Sequence, residues 1–311
     1  MKKLFIIGNG FDQAHGLPTS YNDFRQYLIS TYYSNSTDDE YFCWGNIPEL
    51  RSGKDGEEIF DEKEVVKFLV YIIDNTAQDK WGDIESALGR LNFDSVFYEL
   101  PQVFDLDGDR NLFKEAYQNE DASYAIMKSF ITILDYFNEW INSIDLSNVH
   151  LEPNISTLFD PSNDLFLSFN YTETLEKIYR IPSVCHIHGK IGSELVFGHT
   201  CEPLFDNDRF SKFWGSENNL EKLHSLLRKN TCDALENNIS FFNTLNDQID
   251  QVYVFGFSFS KCDAAYIKEI MKHISSNVPW YLHHHDYSQK KRIEKLLAEY
   301  GHTGPVNIYK T

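Results

Sequence analysis

The chain has 311 residues, 42% of them hydrophobic, and it carries a formal net charge of −19. These values are typical of a folded globular protein with a substantial core, and no apolar run approaches the roughly 20 residues that a membrane span needs. A surface this acidic repels phosphate backbones, so direct binding to DNA or RNA is not expected.

The amino terminus lacks the pattern of a signal peptide, because Met1-Lys2-Lys3 precede only a few apolar residues before Gly8. The five cysteines are scattered and odd in number, which is typical of reduced thiols. We therefore expect a cytoplasmic protein that does not associate with membranes.

The first predicted strand, residues 4–7, leads directly into Gly8-Asn9-Gly10-Phe11-Asp12. A short apolar run that ends in two glycines is typical of a buried parallel strand that delivers its backbone to a ligand. The glycines allow main-chain N–H groups to approach a pyrophosphate, and the next helix presents its positive end. This order predicts a nucleotide site, although a purely structural turn has the same pattern. Gln13 replaces the third glycine of the dehydrogenase fingerprint, which argues against hydride transfer.

A long helical region follows the first strand. Hydrophobic spacing predicts helices over residues 21–33, 61–74, 79–91 and 122–141. Trp81 and Glu85 share one helix face, so Glu85 either faces a site or has a surface or capping role. The absence of a predicted strand here makes residues 38–163 a mostly helical insertion. The α/β core is then formed by residues 1–37 and 164–311.

Three predicted strands follow, and each carries polar residues at its end. The first begins at residue 164 and ends at Asn170, the second covers residues 183–189, and the third covers residues 194–199. Because ligands of parallel sheets bind outside the carboxyl ends of the strands, Asn170, His188 and His199 are expected to converge. His186 shares a face with His188 and competes for its role, and Asn170 also has the position of a helix cap.

The last third of the sequence alternates between helix and strand. Helices are predicted over residues 220–243, 264–273 and 288–300, and strands over residues 251–260, 280–284 and 306–309. Gly256 and Ser258 lie at the end of the first of these strands. Consecutive strand residues point to opposite faces, so in the run His283-His284-His285 only His283 and His285 could share a metal site. We interpret the run as a solvated strand end and expect no bound metal.

Taken in order, the motifs resemble the AbiH family of bacteriophage abortive-infection proteins from end to end. The similar segments are Ile7-Gly8-Asn9-Gly10-Phe11-Asp12, His15-Gly16-Leu17-Pro18-Thr19-Ser20-Tyr21, Trp81-x-x-x-Glu85, Phe169-Asn170-Tyr171-Thr172, His186-Ile187-His188-Gly189 and Gly256-Phe257-Ser258-Phe259. Four of these segments also look like sirtuin motifs, because the first two together have the spacing of the sirtuin opening. The resemblance implies a Rossmann-like parallel sheet of sirtuin-like type, a role in phage defence, and NAD as ligand or substrate. The Cys-x-x-Cys pairs that hold zinc in sirtuin deacylases are missing, so deacylation is not expected.

The resemblance also implies a set of cofactor-binding residues. They are Gly8, Asn9, Gly10, Phe11, Gly16, Leu17, Pro18, Thr172, Gly189, Gly256 and Ser258. Asn170, His188 and Asp12 are the expected catalytic residues, because an amide orients water, a histidine accepts a proton and a carboxylate binds ribose hydroxyls or stabilises positive charge. Sirtuins have serine at the place of Asp12 and aspartate at that of Thr172. In sirtuins that aspartate recognises the carboxamide of NAD, and here Asp12 or Glu85 is the candidate for this role.

The sequence thus favours a phage-defence protein that binds NAD and hydrolyses the nicotinamide–ribose bond. The alternative is a catalytically inactive nucleotide-binding sensor of a defence system. A metal-dependent nuclease or phosphohydrolase would need clustered carboxylates at strand ends, and only Asp12 meets that requirement. The expected partners are NAD or a related nucleotide and, for activation, either a second copy of the chain or a phage-derived component. The helical insertion is expected to control access to the nucleotide.

Overall fold

The computed structural model describes residues 1–33, 46–76, 81, 84–201, 212–246 and 248–311. The boundary predicted at residues 37–38 and the beginning of the helix predicted over residues 79–91 lie outside these ranges. Within the described ranges, no helix combines the length and the apolar character that a bilayer crossing needs.

A parallel sheet organises the fold. The strands of the described residues are β1 (Lys2–Ile7), β2 (Arg51–Ser52), β3 (Glu58–Ile59), β4 (Leu165–Ser168), β5 (Cys185–His186), β6 (Ile249–Phe255), β7 (Trp280–His283) and β8 (Val306–Tyr309). Six of them form one sheet in the order β5-β4-β1-β6-β7-β8, and every neighbouring pair is parallel. Strands β2 and β3 form a separate antiparallel pair. All six strands therefore end at one edge, which we call the carboxyl edge, and begin at the opposite, amino edge.

Helices occupy most of the sequence between the strands. In chain order they are α1 (Asn9–Ala14), α2 (Tyr21–Tyr32), α3 (Glu62–Thr76), α4 (Ile84–Leu88), α5 (Asp94–Tyr98), α6 (Leu112–Phe130), α7 (Ile133–Ser143), α8 (Pro153–Ser156), α9 (Thr174–Ile178), α10 (Glu217–Leu226), α11 (Thr231–Asn237), α12 (Ile239–Phe242), α13 (Ala264–His273) and α14 (Lys290–Glu299). Short 3-10 helices cover Lys261–Asp263 and His284–Gln289. The predicted Rossmann-like α/β class is confirmed.

The side chains of β1 show how the layers form. Leu4 and Ile6 belong to a buried cluster on one face of the sheet, whereas Phe5 and Ile7 belong to a cluster on the other face. Both faces of β1 are thus covered, as expected for the central strand of a parallel sheet. The continuous apolar run of this strand reflects burial on both sides.

The chain forms two compact units. Unit 1 comprises Met1–Ser20, Ile141–Val196 and Asn230–Thr311, and it contains the parallel sheet. Unit 2 comprises Tyr21–Trp140 and Phe197–Lys229, and it is mainly helical. In unit 2 the ring of Phe24 lies 5.1 Å from that of Trp140 and 5.8 Å from that of Trp81, so these aromatic side chains form part of its core.

Several predicted elements differ from the structure. The strand predicted over residues 194–199 is wrong, because Gly198 has a φ of 142° and any Cβ there would lie 2.2 Å from the carbonyl oxygen of Leu227. The helix predicted over residues 122–141 is divided into α6 and α7. At the division the hydroxyl of Thr132 donates to the carbonyl oxygen of Ser129 at 2.6 Å, a side-chain bond that competes with helical backbone bonding.

The helix predicted over residues 220–243 is also divided, into α10, α11 and α12. Asn230 caps the amino terminus of α11, and its side-chain oxygen accepts the N–H of Asp233 at 3.1 Å. Such a capping bond favours a new helix start over continuation of the preceding helix.

Candidate functional site

The two glycine turns at the carboxyl edge pack backbone against backbone. The N–H groups of Gly8 and Gly10 donate to the carbonyl oxygens of Phe255 and Gly256 at 2.9 and 3.0 Å. A Cβ on Gly8 would lie 2.5 Å from the Gly256 oxygen, and one on Gly256, where φ is 65°, would lie 2.4 Å from the nitrogen of Phe11. The glycines therefore bring the ends of β1 and β6 together, and two of the N–H groups predicted to face a pyrophosphate donate instead to backbone carbonyl oxygens at the end of β6.

The loop after α1 is closed by its own polar groups. The Asn9 side-chain amide donates to the carbonyl oxygen of Thr19 at 2.7 Å. Gly16 has a φ of 75°, which favours glycine, and no atom lies within 4 Å of a Cβ placed there. Leu17 is buried, whereas Pro18 is exposed. This loop thus fixes the position of α1, the helix that carries Phe11 and Asp12.

Asp12 is a buried carboxylate held by two hydroxyl groups. Thr172 donates to Oδ2 at 2.5 Å and Thr174 donates to Oδ1 at 2.8 Å. In the described part of the chain, no lysine, arginine or histidine nitrogen lies within 4.0 Å of this carboxylate. Burial raises the pKa of Asp12 above its usual range, although the hydroxyl groups and the more distant His15 act to lower it.

Asn170 lies at the end of β4, beside Asp12. Its amide lowers the pKa of Asp12, yet neither its Nδ2 nor its Oδ1 has a hydrogen-bond partner of good geometry among the described residues. Its backbone is fixed, since its N–H donates to Ser168 Oγ at 3.1 Å. A buried primary amide with both polar atoms unbonded is unusual in a folded protein and indicates a position for a ligand or water.

His186 supports Asn170. Its Nδ1 lies 2.9 Å from the Asn170 carbonyl oxygen, and its Nε2 lies 2.9 Å from Glu176 Oε1. Burial acts to raise the pKa of Glu176, but the bond and charge of His186 outweigh it, and the pKa lies below its usual range. Both ring nitrogens of His186 are therefore occupied in holding the end of β4 to α9.

His188 faces a second acidic residue. Its Nε2 lies 3.6 Å from Asp263 Oδ1, and the hydroxyl of Ser260 donates to Asp263 Oδ2 at 2.9 Å. The ring is buried against Phe169 and Tyr266, at centroid distances of 5.2 and 5.3 Å. A carboxylate so placed stabilises the imidazolium form of a histidine that has accepted a proton.

Two turns complete the carboxyl edge. Gly189 has a φ of 79°, and a Cβ there would lie 2.1 Å from the Glu194 carbonyl oxygen, so the turn after His188 requires glycine. Ser258 is exposed, and its carbonyl oxygen accepts Arg292 Nη2 at 2.7 Å. Arg292 also donates to the carbonyl oxygen of Phe259, a buried residue with a φ of 52°. The guanidinium group thus holds a strained backbone turn.

Two residues left open by the sequence lie in unit 2. Glu85 is buried and forms an ion pair with Lys229, with 3.0 Å between Oε1 and Nζ. His199 Nε2 lies 2.9 Å from the His224 carbonyl oxygen, and burial lowers the pKa of His199 to about 4. Glu85 thus has a structural ion-pair partner, which the surface and capping interpretations did not include.

The arrangement of the histidine run differs from the prediction. Strand β7 ends at His283 and a 3-10 helix begins at His284, so the alternation of a strand stops there. One ligand atom from each of His283, His284 and His285 lies within 4.8 Å of the others. The expectation that only His283 and His285 could share a site is therefore wrong.

Thr174 and Asp263 were not predicted as site residues. Thr174 lies two positions after Thr172, just beyond the segment Phe169-Asn170-Tyr171-Thr172, and this short spacing is the signal that the sequence offers. Asp263 lies near the turn at Gly256, but its contact with His188 joins segments far apart in the sequence. The structure brings together Asp12, Asn170 and Thr172, and places His188 against Asp263.

The fold and these residues define an α/β protein of the Rossmann-like class with a polar cluster at the carboxyl edge, where such folds bind ligands. Residues 4–284 match the family model described as bacteriophage abortive infection AbiH. The chain belongs to this family, which confirms that part of the resemblance and assigns the protein a role in phage abortive infection. Comparison with curated proteins and with solved structures gives no match.

Proposed function

We propose that unit 1 binds NAD at its carboxyl edge and hydrolyses the nicotinamide–ribose bond during abortive infection. The observation that carries the proposal is Asp12, a buried carboxylate bonded to hydroxyl groups and not to a cation in the described residues. The nicotinamide ring of NAD is a cation, and positive charge spreads onto the ribose as the bond breaks. The ligand would thus supply the charge that balances Asp12.

The buried amide of Asn170 supports the same proposal. An unbonded buried polar group costs about 1–3 kcal/mol, which a ligand with complementary hydroxyl or carboxamide groups recovers on binding. Ribose hydroxyls, the carboxamide and the attacking water all offer both donors and acceptors. An amide that titrates at no physiological pH can hold any of them in place.

The reaction needs modest chemical assistance from the protein. Water attacks ribose C1′, a C–O bond forms, and the C1′–N bond breaks with its electron pair leaving on nicotinamide. In the proposed arrangement Asn170 orients the water, Asp12 stabilises the positive ribose, and His188 accepts the proton from the water. Asp263 then stabilises the imidazolium. The products are nicotinamide, ADP-ribose and one proton.

One observation favours the alternative of a sensor that binds a nucleotide without turnover. Thr172 stands where sirtuins have an aspartate, and its hydroxyl donates to Asp12, while the N–H groups of Gly8 and Gly10 donate to backbone carbonyl oxygens at the end of β6. These groups are expected to contribute to the rigidity of the cluster more than to contacts with a cofactor. Binding and turnover must therefore be measured separately.

The test is incubation of the protein with NAD, with and without extract from phage-infected cells, followed by chromatography of the products. We expect nicotinamide and ADP-ribose, and Asn170→Ala and His188→Ala should each lower the rate by about 100-fold or more. Asn163→Ala is the matched control for Asn170, because Asn163 lies just before β4, where its amide donates to the Met1 carbonyl oxygen. His273→Ala, at the end of α13, is the control for His188.

Each other outcome has a defined meaning. Bound but intact NAD under both conditions would replace the hydrolase with the sensor. Release of AMP or inorganic phosphate would indicate a phosphohydrolase and would contradict both. Equal losses in the Asn170 and Asn163 variants would show that the effect is one of folding and not of the carboxyl edge.

A further inference from the structure

The second cluster at the carboxyl edge consists of His283, His284 and His285, which follow the end of β7. The distance between His283 Nε2 and His284 Nδ1 is 3.1 Å, and the three residues each place one ring nitrogen within 4.8 Å of the others. Two nitrogens on one tetrahedral zinc ion, each with a Zn–N bond of about 2.0–2.1 Å, lie about 3.3 Å apart. The first pair already has about this spacing. In the structure these two nitrogens share a hydrogen bond, and His283 Nε2 also lies 3.0 Å from Thr311 Oγ1, so a bound ion would replace both contacts.

The backbone explains how neighbouring residues reach this geometry. His283 is the last residue of β7, and His284 begins the 3-10 helix His284–Gln289. The His283 ring is buried and stacked on Phe255, with a centroid distance of 3.9 Å, and it packs against Tyr309 at 5.3 Å. His285 is exposed. One ligand is therefore rigidly held, and the cluster is open to solvent on the side of His285.

Asp286 gives an independent indication that a positive charge is missing. Its Oδ2 is buried and has no hydrogen-bond partner in the part of the chain that the structure describes. A cation held by the adjacent histidines would balance the Asp286 carboxylate, in the way that outer-shell carboxylates support metal-bound histidines.

We propose that His283, His284 and His285 bind one divalent transition-metal ion of the kind that prefers imidazole, with zinc as the first choice. Three histidines leave a fourth position for water, which is the composition of an open zinc site. Magnesium and calcium prefer oxygen ligands and are not expected to bind here. The proposed NAD chemistry does not use this ion.

The experiment uses the untagged, chelator-treated full chain, since a histidine tag would itself bind the probe. Cobalt(II) is titrated in, and the visible absorption band of the ion is followed; zinc is then added to displace it. We expect one cobalt ion per chain and displacement by zinc. His284→Ala and His285→Ala should each weaken cobalt binding by more than about tenfold. Neither ring is fully buried, so both variants are expected to fold.

His273→Ala is the matched control, because it removes an imidazole that forms an ion pair with Glu269 on α13. It should bind cobalt as the unaltered protein does. The proposal is overturned if the unaltered chain binds less than one equivalent, or if the His284 and His285 variants, folded by circular dichroism, bind cobalt as tightly as the control. Both readouts are independent of NAD, so failure of the proposed hydrolase leaves this test unaffected.

Discussion

Two buried carboxylates in different units of the protein have opposite surroundings. Glu85 in unit 2 forms an ion pair with the fully buried ammonium group of Lys229 at 3.0 Å. Asp12 in unit 1 accepts bonds from the hydroxyl groups of Thr172 and Thr174, and its burial raises its pKa. Glu85 thus has its counter-charge within the fold, whereas the hydrogen-bond donors to Asp12 are two neutral hydroxyl groups.

The difference separates a carboxylate that stabilises the fold from one that serves a ligand. Removing one member of a buried ion pair leaves an uncompensated charge and is strongly destabilising. Neutralising a buried carboxylate whose only hydrogen-bond donors are neutral hydroxyl groups leaves no unpaired charge behind, so the expected loss in the free energy of unfolding is small. Beside Asp12, the unbonded amide of Asn170 completes a cluster that lacks a cationic partner among the described residues.

The largest expected effect is on stability in unit 2. Glu85→Gln should lower the free energy of unfolding by about 3–5 kcal/mol, because it removes the carboxylate that lies 3.0 Å from the buried ammonium group of Lys229. The double variant Glu85→Leu/Lys229→Met should recover most of the loss. Denaturant titrations measure the free energy of unfolding of the single and the double variant. A loss below about 0.5 kcal/mol in the single variant would show that the pair is not structural.

The next effect is on turnover in unit 1. Asp12→Asn keeps the size of the side chain but removes its charge, and NAD hydrolysis should fall by about 100-fold, or about 2.7 kcal/mol of transition-state stabilisation. The matched control is Asp250→Asn, an exposed residue at the beginning of β6, on the amino edge. The measurement is the initial rate of nicotinamide release by the Asp12→Asn and Asp250→Asn variants. Equal rates in the two variants would remove Asp12 from the mechanism.

A smaller effect is expected at the hydroxyl groups that hold Asp12. Thr174→Val removes the donor that bonds Asp12 Oδ1 and should lower the free energy of unfolding at pH 7 by about 2 kcal/mol, the usual value for a bond to a charged group. Thr244→Val is the control, since its hydroxyl bonds a backbone carbonyl at the surface. Chemical denaturation of the three proteins gives the comparison. If Thr174→Val costs no more than the control, the hydroxyl does not stabilise the carboxylate.

The smallest effect is a pH dependence specific to Asp12. Burial raises its folded pKa above 3.8, so the folded chain binds this proton more tightly than the unfolded chain. Its contribution to stability is fully present below that value and is lost as the pH rises through the folded pKa. Asp12→Asn lacks this loss, and its stability relative to the unaltered protein should increase from acid to neutral pH. A relative stability that is constant or decreases would contradict the direction of the shift.

The sequence predicts the parts of the structure that depend on local patterns. The apolar run of β1 and the glycines after it predict a buried parallel strand, and the polar end of β4 predicts Asn170 at the carboxyl edge. Contacts between distant segments leave no such pattern. Glu85 and Lys229 are separated by 144 positions, and the contact between His188 and Asp263 likewise joins segments far apart in the sequence.

Backbone geometry limits the prediction in the same way. The run of residues 194–199 has the composition of a strand, but Gly198 adopts a φ of 142° and the strand does not form. The histidine run changes from strand to 3-10 helix after His283, which brings three neighbouring rings together. Both outcomes depend on where a strand ends, which hydrophobic periodicity does not determine.

The most direct test of the central claim compares the binding of NAD⁺ with that of NADH, which differs mainly by the absence of the positive charge on the nicotinamide ring. Calorimetry on the His188→Ala variant avoids consumption of the ligand. If Asp12 awaits a cationic ligand, NAD⁺ should bind at least about tenfold more tightly than NADH, and Asp12→Asn in the same background should abolish the difference. Equal affinities for the two nucleotides before Asp12 is changed, or no binding of either, would contradict the account.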